Sequence, residues 1–311
     1  MSRSDPSPTA SSPAARLRIA VIGLGGIGGV AAGALTHAGR HDVVACGRRP
    51  LDRMTVDLPD ESVEVAMTVL TDPADASPVD WVLLTTKAQD TDGAGPWLRA
   101  LCGPDTTVAV MQNGIDHADR IAPYAGGASA LPVIVYYNGE RIADDHVRMR
   151  HISDTDIALP DTATARAFAD LLQGTPINPV IAPDFTARLW QKLLINIVVN
   201  PVTALTRQRQ GVLQRDDIQA LTTALLEEAA AVAEAEGAGL PATAAADTQR
   251  LVLTFPHDAG SSMYFDVLAG RRLEAEALTG AIVRAGAKHA IPTPMNSAVL
   301  ALLRALSDGN G

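Results

Sequence analysis

From Leu17 onward the chain alternates short apolar runs with longer stretches whose apolar residues recur every three or four positions. LRIAVIG (17–23), DVVACG (42–47), VEVAMTVL (63–70), DWVLLTT (80–86) and TTVAVMQ (106–112) have the length and make-up of buried strands. GGVAAGALTHAG and GPWLRALCG, which lie between them, suit crossover helices. That alternation predicts an α/β domain built on a mostly parallel sheet. Residues 131–160 read differently: LPVIVYYNGERI, HVRMRHI and DIALP form an antiparallel run, expected to turn at Asn138-Gly139 and to extend the same sheet. Beyond Asp184 no strand is evident. Helical periodicity predicts helices near 184–206, 216–236, 242–255, 261–269, 273–288 and 293–306. The expected organisation is a disordered leader (1–15), a nucleotide-type α/β domain (16–183) and an all-α domain (184–311).

One helix raises a chemical question. In KLLINIVVN (192–200), Lys192, Asn196 and Asn200 are spaced four apart and share one side, while the other positions are aliphatic. Such a row faces either open water or a ligand. The plain alternative is a lysine that reaches for solvent and asparagines that bond neighbouring loops.

Composition narrows what a ligand could be. A formal net charge of -10 leaves no dominant basic surface for nucleic acid or an anionic membrane, and 4% aromatic content offers few stacking platforms. No apolar run approaches the roughly 18 residues of a membrane span. Cys46 and Cys102 make no disulfide framework and fit a reducing, cytoplasmic setting. The opening MSRSDPSPTASSPAA has no apolar core of a signal peptide. The seven histidines are scattered without metal-ligand spacing, so no metal site is expected.

The first strand runs into Gly23-Leu24-Gly25-Gly26-Ile27-Gly28, a G-x-G-x-x-G turn that opens a helix. In this context the first glycine makes the turn, the second admits a pyrophosphate and the third lets helix and strand pack. The domain is therefore read as Rossmann-type. Where an NAD site usually carries an acidic residue, the second strand ends in Cys46-Gly47-Arg48-Arg49-Pro50. A guanidinium there suits a 2′-phosphate, which favours NADP(H), with Arg48 the first choice and Arg49 the second. The alternative is two solvated loop charges.

The only three lysines are Lys87, Lys192 and Lys288. Lys87 and Asn113-Gly114 each follow a strand at its carboxyl end, where open α/β sheets bind ligands. Gly260-Ser261-Ser262-Met263 opens a helix, and Glu274 follows Gly270-Arg271-Arg272-Leu273. On one straight helix Ser262 and Glu274 would be about 18 Å apart, so a break at Gly270 is expected if they are to meet.

GLGGIG, GRRP, TTKAQD, QNG, WQKLLINIVVNPVTAL and SSMYFDVLAGRRLEAE resemble, in order and spacing, the ketopantoate reductases (2-dehydropantoate 2-reductases), over about residues 16–300. The resemblance implies NADPH-dependent reduction of 2-dehydropantoate to (R)-pantoate, a step toward pantothenate and coenzyme A. It implies Lys192 as general acid and Glu274 as its aid in placing substrate. Asn113, Asn196, Asn200 and Ser262 become the substrate-binding set, with Lys87 beside cofactor and substrate. One departure is Ala259, where some members carry an asparagine that touches substrate. A related 2-oxo acid reductase or D-2-hydroxyacid dehydrogenase is therefore the alternative, and a non-catalytic NADP(H) sensor a third reading. The expected assembly is a homodimer through the helical domain.

Overall fold

The computed structural model describes residues 16–309; the leader expected at 1–15 lies outside them. The first strands are β1 (Arg18–Ile22), β2 (Asp42–Cys46), β3 (Arg53–Asp57), β4 (Ser62–Ala66), β5 (Val69–Leu70), β6 (Trp81–Leu84) and β7 (Thr107–Val110). They are followed by β8 (Ser129–Pro132), β9 (Ile134–Val135), β10 (Asn138–Ala143), β11 (His146–Arg150), β12 (Ile157–Pro160) and β13 (Pro179–Ala182). Helices α1 (Gly26–Ala38), α2 (Thr91–Leu101), α3 (His117–Ile121) and α4 (Ala163–Leu171) lie among them. Then come α5 (Phe185–Thr206), α6 (Asp216–Ala235), α7 (Ala244–Val252), α8 (Ser262–Leu268), α9 (Thr279–Lys288) and α10 (Pro294–Asp308). A parallel-sheet α/β domain is thus followed by a helical one.

The main sheet has the order β5-β2-β1-β6-β7-β8, and all its pairings are parallel. Strand alternation separates its two faces. Ile19 and Val21 join the core around α1, with Val30, Ala31 and Leu35. Ala20 and Ile22 join the opposite core, with Ala94, Leu98 and Leu101 of α2.

Of residues 131–160 only Leu131 and Pro132, the end of β8, extend this sheet; the rest do not. The strands from Ile134 on divide between a four-stranded sheet, β10-β11-β3-β4, and a three-stranded one, β13-β12-β9. The hairpin turns at Asp144-Asp145, not at Asn138-Gly139. Gly139 serves a different purpose, because a Cβ on Gly26 would lie 1.8 Å from its carbonyl oxygen. The segment 63–70 is also two strands, β4 in the second sheet and β5 at the edge of the first. β3 is a strand that sequence reading missed. The second sheet packs across α1, and the glycines of that helix let it in: a Cβ on Gly29 would meet Val147 at 2.7 Å, and one on Gly33 would meet Val56 at 2.3 Å.

In the helical domain α5 is wrapped by α6, α7, α8 and α10. Leu193, Leu194, Ile197, Val198 and Val199 are buried in its core, as expected of a helix apolar on nearly every side. Helix α8 stops at Leu268, and Gly270 takes φ +62 while Arg271 N–H donates to Asp266 O at 2.8 Å. That is the expected break, closed by a left-handed glycine. The next helix begins only at Thr279, later than the residue 273 anticipated, so Glu274 sits on an irregular segment ahead of it.

Candidate active site

A cleft of about 1280 Å³ runs between the carboxyl ends of the main strands and the helical domain. It exceeds the roughly 300–1,000 Å³ of a typical small-ligand pocket, which leaves room for a dinucleotide and a small substrate together. Gly23, Leu24, Gly25, Gly26, Ile27, Arg48, Arg49, Lys87 and Asn113 line its α/β side. Lys192, Asn196, Ser262 and Glu274 line its helical side. Gly28 and Asn200, expected in the same set, stand behind the wall.

The glycine turn fits a dinucleotide. Gly23 holds φ +98, which favours glycine. A Cβ on Gly25 would meet nothing within 4 Å, so that residue faces open cleft where a pyrophosphate can approach. A Cβ on Gly28 would meet Gly23 O at 2.0 Å and Thr85 Oγ1 at 2.1 Å, so this glycine is needed for packing. Thr85 in turn donates to the carbonyls of Ile22 and Gly23 at 2.8 and 2.7 Å. Arg48 is exposed on the cleft and makes no ion pair among the described residues, while Arg49 pairs with Asp144 at 2.6 Å. Both arginines border the cleft.

Across the cleft, the Lys192 ammonium donates to Val135 O at 2.5 Å and lies 5.8 Å from the centre of the Tyr136 ring. Its burial lowers the pKa to about 8, against the opposing pull of the Glu274 charge. Asn196 is the next residue in the row, and Asn200 donates to its Oδ1 at 3.3 Å. Asn200 Oδ1 then accepts from the Ser262 hydroxyl at 3.3 Å. Ser261 instead caps α8, accepting from Tyr264 N, and bonds Thr203. Ser262 is left to face the cleft.

Glu274 is 4% exposed. It accepts from Ala88 N at 3.1 Å and Asn113 Nδ2 at 3.0 Å, and it lies 3.5 Å from Lys87 Nζ. Burial alone would raise its pKa, but the Lys87 charge and these bonds outweigh burial and hold it below the ordinary value. Lys87 also bonds Asp266 at 2.9 Å. Burial pulls the Lys87 pKa down, the two carboxylates pull it up, and the carboxylates win.

Sequence reasoning missed Asp266, although it stands one helical turn after Ser262, on the same face. It also missed the supports of the Gln112-Asn113 loop. Gln112 bonds Thr86 and Thr91. Arg120 donates to Gln112 Oε1 and Asn113 O, both at 3.0 Å. Buried His117 meets Gln112 O at 2.9 Å. Among the described residues no cluster of three His, Cys, Asp or Glu side chains could hold a metal ion, and no helix is long and apolar enough to cross a membrane.

The chain matches two family models, ketopantoate reductase PanE/ApbA over residues 19–162 and the PanE/ApbA C-terminal region over 184–307. It belongs to the ketopantoate reductase family. The 2-dehydropantoate 2-reductase of Mycobacterium tuberculosis is 36% identical over 297 residues, covering 94% of this chain and 99% of that one. That of Caulobacter vibrioides is 37% identical over 292 residues, covering 92% and 98%. The dimeric ketopantoate reductase of Staphylococcus aureus superposes with a TM-score of 0.83 at 27% identity, covering 95% of this chain and 100% of that one. Ketopantoate reductase family membership therefore covers both the α/β and the helical halves.

Proposed function

We propose that this chain reduces 2-dehydropantoate to (R)-pantoate with NADPH. The observation that carries the reading is Lys192, a largely buried ammonium with a pKa of about 8, in the wall of the cleft that the glycine turn also lines. A bound nicotinamide cofactor supplies the hydride. The chain's own residues do the rest. Lys192 stabilises the negative charge that grows on the 2-oxo oxygen and then protonates it. Asn113, Asn196 and Ser262 orient the substrate, and Asn200 steadies the last two. Glu274 fixes Asn113 and Lys87 and helps to place the substrate. The Gly25 backbone receives the pyrophosphate, and Arg48, with Arg49 as second choice, receives the 2′-phosphate.

The experiment is a turnover assay with NADPH and 2-dehydropantoate, run beside 2-oxoisovalerate and phenylglyoxylate. Preference for 2-dehydropantoate is expected. Ala259 favours the second reading, a sister 2-oxo acid reductase, and faster turnover of either other acid would establish it. Ala259 is tied into the fold by its carbonyl, which accepts from Gln210 N at 2.9 Å. We also propose a homodimer, supported by the dimeric S. aureus relative, to be checked by light scattering.

A further inference from the structure

The hairpin formed by β10 and β11 belongs to the second sheet, yet it is pinned to the glycine turn of the first. The Tyr137 hydroxyl donates to Ile27 O at 3.0 Å. Gly139 approaches Gly26 so closely that no Cβ fits between them. Side chains alternate along a strand, so Arg141 projects from the same face as Gly139, about 7 Å farther on. At the tip of the hairpin Asp144 bridges two guanidinium groups. Its Oδ1 accepts from Arg141 Nη2 and its Oδ2 from Arg49 Nη1, both at 2.6 Å. Arg48, Arg49, Arg141 and Asp144 all line the cleft of the glycine turn.

We propose that this hairpin is the second jaw of the 2′-phosphate site, with Arg141 as a phosphate ligand and Asp144 as the internal carboxylate that a phosphate displaces. The proposal rests on the NADP(H) reading above. A carboxylate held by two guanidinium groups offers the same oxyanion geometry as a phosphate in that place. The side chains of Arg49 and Asp144 are 79% and 66% exposed, so their pairing is weak and easily exchanged. A dianionic phosphate gains more from the same donors. Asp144 therefore opposes binding by its charge. Its ordering of two exposed arginines compensates little.

The test is calorimetric titration of the ligand-free protein with 2′,5′-ADP and with 5′-AMP, which differ by the 2′-phosphate alone. Arg141→Ala should weaken 2′,5′-ADP about tenfold and leave 5′-AMP within about twofold. Asp144→Asn should tighten 2′,5′-ADP about three- to tenfold at low salt, again without moving 5′-AMP. That gain should shrink in 0.5 M salt, where the Debye length is only a few ångströms. Variants that shift both ligands equally, or neither, overturn the proposal. A wild-type protein that binds the two ligands equally overturns the NADP(H) reading itself. Both positions are solvent-facing, and unchanged thermal unfolding of each variant would show that the fold is intact.

Discussion

Lys192 is the residue whose titration can be followed most directly. With a pKa of about 8, its side chain is about nine-tenths protonated at pH 7 and about one-tenth at pH 9. Only the protonated form can deliver a proton to the reduced oxygen. The rate of reduction should therefore hold below pH 7 and fall about tenfold between pH 7 and 9. The measurement is kcat/KM for the 2-oxo acid at saturating NADPH, which reports the protein before the acid binds and so avoids the charge of the substrate carboxylate. Lys192→Ala should lose about a hundred- to ten-thousandfold in kcat, the usual contribution of a positioned acid, and should still bind NADPH. Lys192→Arg keeps the charge but cannot lose its proton in this range. Whatever activity that variant retains should show no fall up to pH 10. A wild-type profile flat to pH 10, or a fall near 8 that survives in Lys192→Arg, would refute the assignment of the acid.

Four further outcomes follow from the same geometry. Glu274→Gln should move the fall in rate to lower pH, because the Glu274 charge is what holds the Lys192 pKa up; a pH–rate profile at fixed NADPH checks this. Arg48→Ala should weaken NADPH about ten- to a hundredfold, as expected for a charge-assisted bond, and barely change NADH, as measured by nucleotide fluorescence. Gly25→Ala should leave thermal unfolding unchanged and reduce cofactor binding, since the new methyl group enters open cleft. Gly26→Ala should cost about 1–3 kcal/mol of stability, read as a lower Tm, because its methyl group collides with the Gly139 carbonyl.

Where local spacing decides a structure, the chain was readable. The strand-glycine-helix sequence at 17–28 and the polar row on α5 depend on neighbours within about a dozen residues, and both formed as expected. Gly270 needed only its own conformational freedom to end α8. The second sheet was not readable in this way. Its β11–β3 pairing joins His146 to Thr55, far apart in sequence. β3 itself buries only Met54 and Val56 amid charged and polar residues. Asn138-Gly139 misled for a physical reason. The dipeptide suits a turn, but that glycine is required by the approach of α1, and the turn falls on Asp144-Asp145, which has no glycine. Asp266 was overlooked because its partner Lys87 comes from the other half of the chain.

The two lysines of the cleft explain why both halves are needed. Each is a cation pulled down by burial. Lys87 faces two carboxylates from the helical half, Asp266 at 2.9 Å and Glu274 at 3.5 Å, and its pKa ends above the ordinary lysine value. Lys192 bonds a neutral carbonyl and a ring face, with Glu274 acting on it only through its charge, and its pKa falls to about 8. Environments that push like groups apart in this way separate a fixed charge from a titrating one. Because Glu274 spends its bonds on Lys87, Ala88 and Asn113 of the α/β half, Lys192 of the helical half remains able to give up its proton near neutral pH. An ion pair made directly to Lys192 would have raised its pKa and weakened it as an acid.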